Sequence, residues 1–224
     1  MAATLPKDIH PESLSRLPLL GRAELDVEGQ QLYDVVASPD SRTLVGLRGP
    51  SGIWLHSPKL ARHVRAANQF LRFESRLDRR LTELAILVTA REIDNQFEWT
   101  AHEPAALAEG LEPAIIDLVK HRRPIGRLGR REAIVIRFGR EAVGDRKVRS
   151  RTFADAVLVF GRTGVVNLAA LMGNYVANAI LLTAVDQRLR PGQPPLLPPR
   201  SARRPGQPTP RRAGRRRSRR QARR

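Results

Sequence analysis

Apolar residues recur at three- and four-residue spacing along most of the chain, and no stretch alternates apolar with polar long enough to argue a strand, so the pattern predicts an all-α protein. A first helix is expected over 22–37, followed by a Gly/Pro-punctuated loop over 38–58 in which RGPSG reads as a turn. Ser57 at the N-cap and Pro58 at the first helical position then open a helix running to about residue 74. The next, 77–93, is apolar around its whole circumference after Glu83, the mark of a helix buried on most sides. Further helices are expected over 96–109, 112–122, 129–143, 151–160 and 163–187, with Gly110, Pro124, Gly144 and Gly161 as successive stops. No internal repeat is visible.

The stretch 165–185 is long enough to cross a bilayer, but Asn167, Gly173, Asn174 and Asn178 interrupt it. Its three Asn share one helix face, a polar stripe that suits a helix buried against protein partners, and no membrane association is expected. The N-terminus shows neither a basic leader nor a continuous apolar segment, which points to a cytoplasmic protein.

Composition divides the 224-residue chain unevenly. From Arg188 onward there are 14 Arg and no Asp or Glu, so this stretch carries most of the formal charge of +18 and leaves residues 1–187 near +4. Rich in Pro and poor in large apolar side chains, it is expected to be a disordered basic tail over 188–224. A solvated extension, a translated artefact of GC-rich sequence, and a polybasic arm binding nucleic acid by counterion release are its three readings; nucleic acid enters only through this tail. The expected organisation is an N-terminal arm over 1–17, a helical domain over 18–187 and the tail. Cysteine is absent, which excludes disulfides, thiolate nucleophiles and Cys-type metal centres. His10, His56, His63 and His121 have no second ligand at a metal-like spacing, and neither a metal nor a cofactor is expected.

Chemistry concentrates in LTELAILVTAREIDNQFEWTAHE, residues 81–103. Glu98 and His102 stand four apart on one helix face, close enough to exchange a proton, and Asn95 lies on the same side. Glu83 sits on the preceding helix and, if buried, is expected to have a raised pKa. Structural readings compete: Asn95 and Glu98 as a capping box, Glu83 as the ion-pair partner of Arg79, Arg80 or Arg91, and His102 as a core histidine bonded to a carbonyl.

The segment FLRFESRLDRRLTELAILVTAREIDNQFEWTAHEPAALAEGLEPAIIDLV resembles the carboxymuconolactone decarboxylase family, which includes the alkylhydroperoxidase D-like proteins. The resemblance implies an alkylhydroperoxidase D-like helical bundle assembled as a homo-oligomer, a trimer or hexamer. In the thiol-peroxidase branch a Glu precedes a CxxC and a His; those positions here are Glu83, Asn95, Glu98 and His102, so both sulfurs are missing and no peroxidase activity is expected. The decarboxylase branch implies a lyase: cofactor-free acid/base chemistry on a small lactone or carboxylate. It assigns His102 as proton donor, Glu98 as the group that orients or recharges it and Glu83 as a relay. Arg91, Asn95 and Trp99 are the expected substrate-binding residues, with Arg72 a further candidate cation. Two alternatives stay open: a non-catalytic or thiol-free relative of the peroxidase proteins, and nucleic-acid binding through the tail.

Overall fold

The computed structural model describes residues 5–199; the expectations placed on 200–224 and on the first four residues lie outside the described residues. Eight α-helices are present among the described residues: α1 Val27–Ala37, α2 Pro50–Trp54, α3 Pro58–Phe73, α4 Arg79–Glu92, α5 Gln96–Ala108, α6 Pro113–Lys120, α7 Arg130–Gly139 and α8 Ser150–Ala184. No strand occurs among them, in keeping with the all-α reading.

Helix α4 is the centre of the molecule. Every residue from Leu81 to Glu92 is buried, the apolar run 84–88 on all its faces and Glu83, Arg91 and Glu92 with it, and α5, α6, α7 and α8 pack around it. Asp78 caps its start by accepting from the Leu81 amide at 2.8 Å. Its other end closes sharply: Asp94 takes φ +55°, and the Asn95 amide donates to the Ala90 carbonyl at 2.8 Å, so the chain reverses within three residues. That tight return lays α5 back along α4 and brings side chains nineteen positions apart into contact.

Three sequence expectations need correction. The RGPSG segment is not only a turn: α2 begins at Pro50 and packs closely enough that a Cβ on Gly52 would lie 1.8 Å from the Leu47 carbonyl oxygen. The helices expected over 151–160 and 163–187 abut at Gly161, whose φ of +70° breaks the helical path without a connecting loop. Packed chain also continues beyond 187. Over 188–199, Leu197 is 5 % exposed and joins the core, the Leu196 amide donates to Thr100 Oγ1, and the Pro198 carbonyl accepts from Arg91. Two large apolar side chains, Leu196 and Leu197, anchor the start of a stretch whose Pro content and scarcity of large apolar residues suggested disorder. The N-terminal arm is tied to the same end of the molecule, through Arg16 N to the Val185 carbonyl and Arg188 N to the Leu14 carbonyl.

Helix α8 has the length and apolarity of a membrane span, but its asparagines are bonded within the protein. Asn167 donates to the Ser75 carbonyl, Asn174 to Asn68 on α3, and Asn178 accepts from the Trp54 indole at 3.2 Å. The polar stripe is therefore the seam that joins α8 to α2 and α3.

Candidate active site

Helices α3, α4, α5 and α8 converge on a cluster of buried polar side chains beside a cavity of about 90 Å³. Glu83 of α4 is fully buried, and it is held from three sides. His102 Nδ1 lies 2.6 Å from its Oε2, while Arg72 of α3 and Arg79 of α4 each donate to its Oε1 at 3.3 Å. Arg79 also donates to the Arg72 carbonyl at 2.9 Å, locking the two cations together. Burial opposes ionisation of Glu83, but His102, Arg72 and Arg79 outweigh it and hold the carboxyl below its ordinary value. This reverses the raised pKa expected from burial alone, because the expectation lacked the two guanidinium groups. An ionised Glu83 accepts the Nδ1 proton of His102, which leaves Nε2 as the nitrogen turned away from it.

That nitrogen faces Glu98, whose Oε2 lies 3.5 Å away. Glu98 is buried, and its surroundings push its pKa up: desolvation dominates, opposed by His102 and Arg72 and reinforced by Glu83. The capping box is only half formed. Asn95 Oδ1 accepts from the Glu98 amide at 2.9 Å, but the Asn95 amide is taken by Ala90, so the Glu98 side chain does not reach back. Its Oε1 is buried without a hydrogen-bond partner among the described residues. Helix capping therefore accounts for Asn95 and leaves the Glu98 carboxyl unexplained.

The cavity wall includes Glu98, His102, Arg72, Tyr175, Asn178 and Trp54. Tyr175 meets the His102 ring edge-on, centroids 5.0 Å apart, and burial drives its phenol pKa well up, so it remains a neutral wall. Phe73 collects three guanidinium groups, those of Arg42, Arg72 and Arg79, at 4.7, 4.9 and 4.4 Å from its ring centre. Arg65, seven residues before Arg72 on α3 and so on the same helix face, also lines the cavity. Its side chain has no carboxylate partner among the described residues, and burial lowers its pKa.

Of the residues expected from sequence, Glu83, Glu98 and His102 come together here. The three expected substrate-binding residues do not line the cavity. Arg91 is paired with Asp94 and holds the Pro198 carbonyl. Asn95 is a cap whose amide nitrogen reaches the Ala179 carbonyl at 3.4 Å. Trp99 is fully buried on the other side of α5, its indole donating to Glu103 and its ring under Lys120. Helical phase explains the misses: Trp99 follows Glu98 by one position, about 100° around the helix, so the two cannot share a face. Trp54, Arg65, Tyr175 and Asn178 were missed because the pieces of chain that carry them are remote from the motif. The polar stripe that holds Asn178 was the available signal.

No group of three or more His, Cys, Asp or Glu among the described residues is arranged to hold a metal ion.

No family profile matches the chain. No curated protein matches it either. Among solved structures, the chain is similar to the alkylhydroperoxidase AhpD core of an uncharacterized peroxidase-related protein from Ralstonia eutropha JMP134, with a TM-score of 0.62 at 16% identity. The likeness covers 79% of this chain and 92% of that one. At that identity it establishes the architecture alone: the protein has the alkylhydroperoxidase D-like helical fold.

Proposed function

We propose that the protein is a cofactor-free acid/base enzyme acting on a small lactone or carboxylate, by decarboxylation or a related proton transfer. The observation that carries this reading is the buried Glu83–His102 pair behind the cavity wall, with Glu83 fixing one imidazole nitrogen and the other facing the Glu98 carboxyl, and with both His102 and Glu98 on the cavity lining. A solvated ion pair or a carbonyl-bonded core histidine would need neither the cavity nor the second carboxyl.

In a decarboxylation the electrons of the breaking C–C bond pass into a conjugated carbonyl as CO2 leaves, and one proton must then reach the resulting carbanion. His102 Nε2 delivers that proton, and Glu83 stabilises the imidazolium before and during delivery. Solvent restores the proton afterwards. Arg65 and Arg42, both on the cavity lining without a carboxylate partner among the described residues, suit an anionic substrate. The chemistry needs no thiol, and the chain has none.

The test is CO2 release from a panel of small unsaturated lactone carboxylates by the full chain and by His102→Gln. Turnover by the wild type that falls by about 10²–10⁴ in the variant, with helicity unchanged, supports the reading. A variant as active as the wild type overturns it.

Assembly into a homo-oligomer belongs to the same proposal. Phe153, Leu158, Val166 and Ile180 of α8 are each more than half exposed, and a second copy of this chain would cover them. Light scattering on the eluting protein should give a multiple of the 25.1 kDa chain mass; a monomer would remove this part.

A further inference from the structure

Two polar atoms beside the cavity lack partners among the described residues, and both belong to deeply buried side chains. One is Glu98 Oε1, the other Arg72 Nε; the residues are 4 % and 6 % exposed. Leaving such atoms unpaired is costly, and both residues stand on the lining of one cavity, where a ligand can pair them. Arg72 donates from Nη2 to Glu83 and from Nη1 to the Arg42 carbonyl, and Nε is its one nitrogen without a partner among the described residues. For Glu98 the surroundings decide the protonation state. An ionised carboxylate buried this deeply needs several donors, and its one ion-pair contact among the described residues is His102 Nε2 at 3.5 Å. The groups bearing on it are Arg72 from α3, Glu83 from α4 and His102 from α5, with the neutral Tyr175 phenol of α8 nearby; burial, reinforced by Glu83, prevails over His102 and Arg72 and favours the neutral acid. A neutral carboxylic acid in an enclosed site is a hydrogen-bond donor.

We propose that the Glu98 carboxylic acid and Arg72 Nε–H together form an acceptor site for one oxygen of the ligand, a carbonyl oxygen that gains negative charge as an enolate or dienolate. The ligand class is thereby a small molecule with an enolisable or conjugated carbonyl, such as a ketone, an enol or an unsaturated lactone. Glu98 then acts on the substrate oxygen and does not recharge His102. This deepens the acid/base reading of the same cavity and rests on it for the identity of the reacting group. Two donors already held in place by the protein stabilise charge most when it develops, because they need no reorganisation.

The test uses 4-nitrophenol, whose phenolate presents one anionic oxygen on a flat ring and absorbs differently from the phenol, with nitrobenzene as the control that lacks the oxygen. Bound to the wild type, the phenol should ionise at least about one pH unit below its value in water, a tenfold preference for the phenolate. Glu98→Gln, which keeps a donor of similar shape, should retain most of that preference. Glu98→Met, neutral but without a donor, should lose about tenfold or more in phenolate affinity while binding nitrobenzene unchanged. Each of three results overturns the proposal: the wild type binds nitrobenzene but not the phenolate, it binds neither, or Glu98→Met binds the phenolate as well as or better than the wild type. The last would mean that Glu98 carries a charge and acts by repulsion. Phenolate binding does not require turnover. A protein that shows it yet transforms no substrate would sink the acid/base reading alone, and His102-dependent turnover without it would sink this proposal alone.

Discussion

At the scale of single residues, Glu83 holds the polar cluster together, because its charge is sealed from water and compensated by the groups that surround it: His102, Arg72 and Arg79. Replacing it by Ala strands the Arg72 guanidinium in the interior, and urea unfolding should show a loss of about 3–5 kcal/mol. Glu98 shows the opposite linkage. Its folded pKa is raised, so its contribution to stability is fully present below the unfolded carboxyl value and fades as pH climbs through the folded one. Glu98→Gln lacks that titration and should gain stability relative to the wild type as pH rises above the ordinary carboxyl value, by up to about 1.4 kcal/mol per pH unit. A difference that stays flat with pH would mean that Glu98 titrates normally. The Glu83, Glu98 and His102 set was legible in the sequence because two of its members lie on one turn of helix and the third precedes them on a buried helix. The partners of Glu83 were legible only in part: Arg79 follows from i, i+4 spacing, whereas Arg72 comes from another helix. Arg91, Asn95 and Trp99 were misplaced because nearness in sequence stood in for helical phase.

Among elements, the short helix α2 and the joint in α8 were the hardest to foresee. Gly and Pro around residues 49–52 read as turn chemistry, yet Pro50 at the first helical position starts a helical turn that carries Trp54 to the cavity wall. The same turn presses Gly52 onto the Leu47 carbonyl, so Gly52→Ala has nowhere to put a Cβ. It should cost about 1–3 kcal/mol in thermal or urea unfolding and weaken ligand binding in the cavity as the Trp54 wall shifts. Unchanged stability would show that α2 packs more loosely than this. Helix starts and stops elsewhere were readable to within a few residues, since Asp78, Asn95 and Gly110 are local signals that act through local hydrogen bonds.

At the scale of the whole molecule, the wrapping of α5, α6, α7 and α8 around α4 follows from a helix that is apolar on every side, and the fold class was open to sequence reasoning for that reason. The extent of the packed chain was not. Leu196 and Leu197 sit in a Pro-rich stretch whose composition argues against order, and only their long-range contacts with the core reveal otherwise. The architecture is shared with an alkylhydroperoxidase core, but a fold does not transmit an activity, and this chain has no cysteine to supply a reactive thiol. Purified protein should therefore turn over hydrogen peroxide or an alkyl hydroperoxide no faster than buffer, in an assay supplied with thiol reductant. On the proposed function, His102 moves a proton to or from a carbon atom in this cavity. Deuterium uptake from heavy water at the carbon next to the carbonyl of a small unsaturated lactone carboxylate, followed by NMR, tests it most directly. The wild type should incorporate deuterium well above the uncatalysed rate, and His102→Gln should fall back to it with its helicity intact; equal incorporation by the two proteins would contradict the account.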